Sequence, residues 1–489
     1  MPTMYPNKAL PASLALAVPW VVSPPVLSAL AAALALALPS PARAEATAAD
    51  AAEIQRLRQD IEALRSSYEV RLQALEQRLQ AAEATVKTVS TASTTAPAPA
   101  PTAVPEDAPA PMPAAASAGA AAGGGPNAFN PSVSLILSGL YARTSRDPSR
   151  YAIAGFALPP DAEIGPGTRG FSLAETELGF AASIDPWFQG AANIALEPDN
   201  SVSVEEAYVQ TTGLGHGLTL KAGRFYSSVG YLNAQHSHTW DFVDAPLAYQ
   251  AMLGTQFNDD GVQLKWLAPT DAFVEVGLEL GRGLSFPGNG GSRNGAGMAA
   301  LSAHTGGDIG DSHSWRAGVS VLNAKASGQS LQGLDAGGDN VESIFSGRTR
   351  VWIADAVLKW APGGNATRTN FKLQGEYLRS RPDGSLSLDT GAGNYRPAQS
   401  GWYLQGVYQF MPRWRVGLRT ERLHAGDPGL YAVTGYAPRK NSLMLDYSPS
   451  EFSRLRLQFS QDRSRPGRAD KQIFLQYQMS LGAHGAHSY

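Results

Sequence analysis

The stretch IFLQYQMSL, at residues 473–481, alternates between apolar and polar side chains along most of its length. Its apolar positions are Ile473, Leu475, Tyr477, Met479 and Leu481, and its polar positions are Gln476, Gln478 and Ser480. Successive side chains of a β-strand point to opposite faces, so this alternation predicts a strand with one apolar face and one polar face.

The same two-faced pattern recurs between residues 127 and 489. In RLRLQFSQ, at residues 454–461, leucine and phenylalanine alternate with arginine, glutamine and serine. Other segments of this kind are VQLKW at 262–266, VEVGLEL at 274–280, FKLQGEY at 371–377, WYLQGVYQF at 402–410 and LMLDY at 443–447. Short turns, such as MPR at 411–413, alternate with much longer loops rich in Gly, Asp and Ser. We therefore expect an antiparallel sheet with short connections at one end and long connections at the other.

Residues 1–44 have the pattern of a secretory signal peptide. The apolar run VLSALAAALALAL, at residues 26–38, is followed by Ala42-Arg43-Ala44, whose small residues match the A-x-A cleavage pattern. We expect cleavage after Ala44. A membrane anchor is the alternative, although the run is short for the ~20 apolar residues that a spanning helix needs.

Composition restricts the partners of an exported chain. The chain has no cysteine, which excludes a disulfide scaffold and a thiolate metal site. Its formal net charge is −3 at pH 7, so it offers no basic field to nucleic acid. We expect no nucleic-acid partner.

Residues 45–87 are predicted to form a coiled coil. Apolar residues recur there every three or four positions, from Ile54 through Leu64 to Val86, which gives a narrow apolar seam along a helix. One helix cannot bury such a seam, so we expect self-association as a trimer or a dimer, with a solvated single helix as the alternative. Residues 88–126 are nearly all Ala, Pro, Thr, Ser and Gly and form a linker with too little apolar bulk to fold.

Residues 127–489 are predicted to form a transmembrane β-barrel. Export, the absence of cysteine, strands of about ten residues and connections of unequal length are what such a barrel requires. A soluble β-sandwich also alternates, but lipid cannot satisfy free backbone groups, so a sheet in a membrane must close.

The expected barrel has about 16 strands, from residues 132–142 to residues 472–481, and about 18 is the alternative because residues 282–349 are difficult to divide. An even count puts both barrel ends on the periplasmic, short-turn side, together with the coiled coil. The predicted fold class is an all-β transmembrane antiparallel barrel preceded by a periplasmic α-helical coiled coil.

Four stretches resemble bacterial outer-membrane proteins. They are GRFYSSVGYLNAQHSHTWDFVDAPLAYQAMLG at 223–254, LKWLAPTD at 264–271, KWAPGGNATRTNFKLQGEYL at 359–378 and SLGAHGAHSY at 480–489. The order of signal, coiled coil, linker and barrel resembles that of sugar porins with an N-terminal coiled-coil extension. The four stretches are similar to porin-like proteins labelled zinc-regulated or TonB-dependent outer-membrane receptors.

The receptor label conflicts with the chain. TonB-dependent receptors have about 22 strands around a globular plug, and residues 45–126 cannot fold into such a plug. We therefore expect an open or loop-constricted channel in the bacterial outer membrane.

The stretch AQHSHTWDFVDAP, at residues 234–246, contains the candidate site. It follows the strand expected at 218–225 and lies in the third long extracellular loop, which in porins folds into the lumen. Its nitrogen and carboxylate ligands, which suit zinc, are His236, His238, Asp241 and Asp244. Three interpretations remain open: a constriction without stable metal binding, a weak transit site for a divalent cation, and a structural polar loop. A tight zinc site is not expected, because a channel must release what it binds.

Charges on the polar faces of the strands are the candidate pore-lining residues. The acidic ones, on early strands, are Glu175, Glu177, Glu275 and Glu279, and the basic ones, on late strands, are Lys372, Arg415, Arg419, Arg454 and Arg456. This division predicts a transverse field across the pore, with modest selectivity because Lys221, Lys265 and Glu376 interrupt it. The alternative is that these charges pair between neighbouring strands and stiffen the wall.

The sequence thus predicts an outer-membrane channel for small hydrophilic solutes or ions, with divalent metal such as zinc among the candidates. It identifies no oriented Ser-His-carboxylate set, so we expect no enzyme activity, no catalytic residue and no cofactor beyond weak zinc binding in transit. The expected partners are outer-membrane lipid and further copies of the chain in a trimer, with peptidoglycan as a further candidate. The alternatives are a TonB-linked metal uptake protein and a structural tether between outer membrane and cell wall.

Overall fold

The computed structural model describes residues 131–174, 176–291, 294–388, 391–431 and 436–482. The predicted signal peptide, coiled coil and linker, at 1–44, 45–87 and 88–126, lie outside these residues, as do Glu175 and residues 483–489. The signal peptide, the coiled coil and the linker therefore stay predictions. Among the described residues, no helix is both long and apolar enough to cross a membrane.

The described residues form one sheet of 18 strands. The strands are β1 (Ser132–Thr144), β2 (Gly170–Leu173), β3 (Thr176–Ser183), β4 (Phe188–Leu196), β5 (Val202–Thr211), β6 (Leu218–Tyr226), β7 (Asn258–Leu267), β8 (Phe273–Gly281), β9 (Met298–Ile309), β10 (His313–Leu334), β11 (Asn340–Trp360), β12 (Asn370–Leu388), β13 (Gly391–Tyr395), β14 (Gln399–Met411), β15 (Trp414–His424), β16 (Arg439–Ser450), β17 (Ser453–Arg463) and β18 (Asp470–Gly482).

The sheet closes on itself, because the first strand pairs with the last. Ser134 of β1 lies opposite Gly482 of β18, and the two strands are antiparallel. Two of the 18 strands are additional pieces: β2 and β3 both pair with β1, and β13 pairs with the end of β12, whose other part pairs with β14. The barrel proper therefore has 16 strands, which confirms the predicted count, and the two additional strands account for the alternative of 18.

The two faces of the strands are those that the alternation predicts. In β17, Leu455 and Phe459 are 38% and 44% exposed, whereas Arg456 and Gln458 are 1% and 0% exposed. The same contrast separates Leu475 from Gln476 in β18. The exposed apolar side chains form the lipid-facing surface of a membrane barrel, and the buried polar side chains point into its interior.

The two ends of the barrel differ in their connections. At one end, β14 and β15 are joined by residues 412–413 alone, whereas at the other end β6 and β7 are joined by residues 227–257. We call residues 145–169 the first loop and residues 227–257 the third loop. The expected strand length of about ten residues is wrong for β10, β11 and β12, whose pairing continues beyond their neighbours at the long-loop end.

The largest hydrophobic cluster lies inside the barrel, where the first and third loops meet the wall. The loops contribute Phe156, Trp240 and a short buried helix, α1 (Leu247–Leu253). Helix α1 ends at Gly254, whose φ of 66° favours glycine. Inward-facing wall residues complete the cluster, and they include Leu322, Val351, Ile353, Leu378, Tyr403 and Leu423. The interior at this level is therefore packed with side chains.

Candidate functional site

The third loop contacts inward-facing side chains on widely separated parts of the wall. One part of it reaches Glu177 on β3 and Glu206 on β5, and another part reaches Lys372 on β12 and Lys440 on β16. One loop can reach all of these strands only from inside the closed barrel. The third loop thus crosses the interior, and the stretch at 234–246 is the crossing segment.

His236 lies among three glutamates at one end of this segment. Its Nδ1 is 3.3 Å from Oε2 of Glu177 and 3.3 Å from Oε2 of Glu205, and its Nε2 is 3.0 Å from Oε2 of Glu206. Burial disfavours the charged imidazolium, but hydrogen bonds to the three carboxylates outweigh burial and raise the pKa of His236 well above its ordinary value. We call Glu177, Glu205 and Glu206 the acidic pocket.

A β-bulge explains how two consecutive glutamates enter the same pocket. The pairing of β4 with β5 shifts between Asn193 and Ile194, which leaves Glu205 as the extra residue beside Glu206. A bulge breaks the alternation of faces, so both side chains can point inward. Glu205 and Glu206 were not among the residues predicted from the sequence. Two adjacent charges in an alternating strand are nevertheless a signal, because strict alternation would put one of them in lipid.

His238 completes a group with ligand geometry. Its Nδ1 lies 3.0 Å from Oε2 of Glu177, and its ring stacks on that of His236 with centroids 5.6 Å apart. Burial lowers the pKa of His238, so its imidazole is neutral. One ligand atom from each of Glu177, His236 and His238 lies within 4.8 Å of the others. A divalent cation could bind there if it displaced the proton of His236, because metal ligands must be unprotonated.

The structure does not bring together the four ligands predicted from the sequence, His236, His238, Asp241 and Asp244. His236 and His238 face the acidic pocket, whereas Asp241 and Asp244 face basic residues of the late strands. The segment that carries these four residues is extended and crosses the barrel. Its two ends therefore contact different parts of the wall. The ligand group observed here contains Glu177 in place of the two aspartates.

Asp241 is held by two basic residues of the opposite wall. Lys372 Nζ lies 2.5 Å from its Oδ2, and Arg415 Nη1 lies 3.2 Å from its Oδ1. Gln405 Nε2 donates a further hydrogen bond to Oδ2 at 3.1 Å. Burial opposes ionisation, but the charges of Lys372 and Arg415 outweigh it and hold the pKa of Asp241 well below its ordinary range.

Asp244 is held in the same way by the next pair of strands. Arg419 Nη2 on β15 lies 2.9 Å from its Oδ1, and Lys440 on β16 donates to its Oδ2. Gln458 Nε2 on β17 donates to Oδ1 at 2.9 Å. Burial again opposes ionisation, but Lys440 and Arg419 hold the pKa of Asp244 well below its ordinary range. We call these contacts of Asp241 and Asp244 the basic latch.

Most of the late basic residues are paired with carboxylates, and Arg454 is hydrogen-bonded to the third loop. Arg415 and Arg456 both contact Asp446, at 2.5 Å and 2.8 Å, and Arg454 Nη2 donates to the carbonyl oxygen of His238 at 2.7 Å. Arg419 also contacts Glu421 at 2.7 Å. The predicted transverse field needs a correction on this side, because carboxylates of the third loop and of the same wall offset the basic charges.

The early acidic residues are also engaged. Glu275 lies 3.6 Å from both Lys265 Nζ and His304 Nδ1. Glu279 accepts hydrogen bonds from the hydroxyl of Ser227 and the backbone N–H of Ser228, at 2.5 Å and 2.8 Å, where the third loop begins. The sequence left open the alternative that these charges pair with other residues of the wall, and this alternative accounts for Glu275. Glu279 instead fastens the third loop to the wall.

Glu376 is a further anchor of the third loop. Its carboxylate accepts hydrogen bonds from the backbone N–H groups of Tyr231 and Leu232, at 3.1 Å and 3.0 Å, and from the hydroxyl of Tyr249 at 2.8 Å. Tyr403 of the wall donates a fourth, at 2.6 Å. The sequence marked Glu376 only as an interruption of the charge pattern, since partners so far along the chain leave no local signal.

Comparison with known proteins gives a family match. A model described as "Putative beta-barrel porin-2, OmpL-like" matches residues 176–481. A protein of Aquifex aeolicus (strain VF5), described as uncharacterized, is 31% identical over 340 residues, which cover 66% of this chain and 70% of the relative.

Solved structures with a similar fold include OprB of Pseudomonas putida and the anion-selective porin from Comamonas acidovorans. The first is 14% identical, with a TM-score of 0.47, and the match covers 72% of this chain and 94% of that one. The second is 10% identical, with a TM-score of 0.45, and the match covers 72% of this chain and 99% of that one.

Proposed function

The chain belongs to the β-barrel porin-2 (OmpL-like) family of outer-membrane porins, and we propose that it is a diffusion channel for small hydrophilic solutes or ions whose third loop forms the constriction. The observation that carries the proposal is the crossing of the interior by residues 234–246, which are fastened at the acidic pocket and at the basic latch. A segment held at both ends narrows the path on either side of it.

The test is single-channel conductance of the full chain in planar bilayers. Asp241→Asn with Asp244→Asn removes both charges of the basic latch and should raise the conductance, because the loop loses its hold on one wall. The matched control is Asp311→Asn with Asp308→Asn, two exposed residues at the short-turn end, which should leave the conductance unchanged.

The outcomes separate the proposal from its rivals. Equal conductance in the latch variant and the unmutated chain would contradict a constriction by the third loop. A complete absence of conductance in the unmutated chain would favour a structural tether between outer membrane and cell wall. The family match supports the porin part of the sequence resemblance and gives no support to a zinc-regulated or TonB-dependent receptor.

We propose further that divalent cations such as zinc pause in transit at Glu177, His236 and His238. The proximity of these ligand atoms supports the proposal. Binding is weak, because each cation must displace the proton of His236 and compete with the hydrogen bonds that the acidic pocket already makes. Asp241 and Asp244 take no part, since their carboxylates are engaged by the basic latch.

The proposal also covers the ion selectivity of the channel and the oligomeric state of the chain. Because most charges of the interior are paired, we propose that ion selectivity is modest. The apolar seam predicted at 45–87 supports a trimer whose helices associate in the periplasm, where peptidoglycan is a candidate partner. Mass measurement of the full chain in mild detergent tests the trimer, and monomers would overturn it.

A further inference from the structure

Three arginines form a row on the outer face of the barrel. Arg422 of β15 lies directly opposite Arg439 of β16, which lies directly opposite Arg463 of β17. All three are exposed, whereas their neighbours Glu421, Lys440 and Asp462 point inward. We call Arg422, Arg439 and Arg463 the arginine row.

The arginine row has no internal counter-charge. Within the part of the chain that the structure describes, no carboxylate lies within ion-pair distance of any of the three guanidinium groups. The carboxylate of Glu421 is turned inward, where it accepts hydrogen bonds from Arg419 and from the backbone N–H of Leu247. Like charges directly opposite each other on a sheet are destabilising. Binding of an external anion would therefore reduce the repulsion within the arginine row.

The arginine row borders a cavity of the size of a polar headgroup. The cavity has a volume of about 390 Å³, and it is lined by the three arginines together with Trp402, Thr420, Asn441, Gln461 and Glu421, whose carboxylate is turned inward. Guanidinium groups bind phosphate in a bidentate manner, and amide and hydroxyl groups can donate or accept further hydrogen bonds. The chemistry of the lining therefore fits a phosphorylated, hydroxylated group.

An apolar groove lies directly beneath this cavity. Leu418, Leu443, Phe459 and Ile473 are consecutive partners across β15, β16, β17 and β18. The groove that they help to line has a volume of about 760 Å³, and Leu418 is 64% exposed. Thr420, Asn441 and Gln461 line both spaces, so the polar cavity and the apolar groove are continuous.

The level of the arginine row matches the headgroups of one leaflet. Arg439 begins β16 and Arg463 ends β17, both at the long-loop end of the barrel, and the apolar groove lies toward the middle of the strands. With the long loops outside the cell, as expected for such a barrel, the row faces the outer leaflet.

We propose that the outer face of β14–β18 binds a phosphorylated lipid of the outer leaflet that carries several acyl chains. Its phosphate sits on the arginine row, its sugar or other polar group contacts Thr420, Asn441 and Gln461, and its acyl chains lie in the apolar groove. The charge of the row favours this occupant over a face-to-face dimer, which would bring a second row of arginines against the first.

The experiment uses the full chain in mild detergent, with lipid A carrying two phosphates as the probe and dephosphorylated lipid A beside it. Native mass spectrometry of the unmutated chain should show bound lipid A at a concentration at which the dephosphorylated form does not bind. The variant Arg422→Gln, Arg439→Gln, Arg463→Gln should bind lipid A at least tenfold more weakly.

A second triple variant controls for net charge. Arg348→Gln, Arg379→Gln, Arg381→Gln removes three exposed arginines at the same end of the barrel, from β11 and β12, and should bind lipid A as the unmutated chain does. Heat-dependent migration on gels checks that both variants fold.

Three results would overturn the proposal. They are equal weakening in both triple variants, equal binding of the two lipids, and a loss of oligomers in the arginine-row variant without any bound lipid in the unmutated chain. The last of these would identify the surface as an interface between copies.

Discussion

The two ends of the third loop meet walls of opposite charge in different ways. At the acidic pocket, one imidazole, His236, is shared by three carboxylates. At the basic latch, each of two aspartates is shared by two basic side chains, Lys372 and Arg415 for Asp241 and Arg419 and Lys440 for Asp244. At each end, the third loop therefore carries a charge opposite to that of the wall residues it contacts.

The two ends of the third loop differ in whether a metal ion can displace a proton from their contacts. At the basic latch Asp241 and Asp244 stay ionised, because their basic partners lower the pKa of both carboxyl groups. The acidic pocket depends on a proton that a metal ion can displace. We infer that the basic latch sets the position of the loop and that the acidic pocket is the end where solutes interact with it.

The largest effect is expected from breaking the basic latch outright. Asp244→Ala leaves Arg419 and Lys440 buried without this partner, and breaking a buried ion pair from one side costs about 3–5 kcal/mol. We expect the free energy of unfolding, measured by urea titration in detergent micelles, to fall by that amount. Asp311→Ala, in an exposed turn, is the control and should change it by less than about 0.5 kcal/mol. A loss as small as that of the control would show that the latch does not hold the loop.

Removing the two histidines at the acidic pocket is expected to weaken zinc block about tenfold, whereas changing the basic latch is not. His236→Ala with His238→Ala should raise the zinc concentration for half-block of the current at least tenfold, since even the loss of an outer-shell partner weakens metal binding roughly 10–100-fold. Asp241→Asn with Asp244→Asn should leave the half-block concentration unchanged, although it alters the conductance. Equal zinc block in all three proteins would remove the transit site and leave the constriction intact.

A smaller effect separates the two glutamates of the bulge. Glu205 accepts a hydrogen bond from the hydroxyl of Tyr226 at 2.8 Å, a bond that Gln can also accept. Glu205→Gln should therefore lose only the contact of the carboxylate with Nδ1 of His236 at 3.3 Å, and it should lower the free energy of unfolding by about 0.5–1.5 kcal/mol, the net value of one hydrogen bond. Glu206→Gln should cost more, because Glu206 contacts Nε2 of His236 at 3.0 Å and accepts from the backbone N–H of Tyr226. The reverse order of the two losses would contradict the assigned geometry.

The sequence predicts the faces of the strands well and the contacts of the third loop poorly. Leu455 and Arg456 are assigned to opposite faces by a local rule, the alternation of side chains, which needs no knowledge of the rest of the chain. The place of His236 and Asp244 in the third long-side connection follows equally from counting strands.

Their partners do not follow from any local rule. Asp244 and Lys440 are separated by 196 positions and meet only because the barrel closes and the loop turns inward. The bulge at Glu205 breaks the alternation on which the assignment of faces depends. The sequence therefore does not show that the third loop offsets the charges of late-strand residues such as Arg419.

The smallest effect expected is the response of the basic latch to pH. The pKa of Asp244 is lowered by Lys440 and Arg419, so its contribution to stability is fully present above its unfolded pKa of about 3.9 and is lost as the pH falls below that value toward the folded pKa. The difference in unfolding free energy between the unmutated chain and Asp244→Ala should thus be constant between pH 7.5 and pH 5. It should shrink only below about pH 4, because there the unfolded state takes up the proton that the folded state excludes. A difference that already declines between pH 7.5 and pH 5 would mean that Asp244 is protonated in the folded barrel and that the latch is held by something other than its charge.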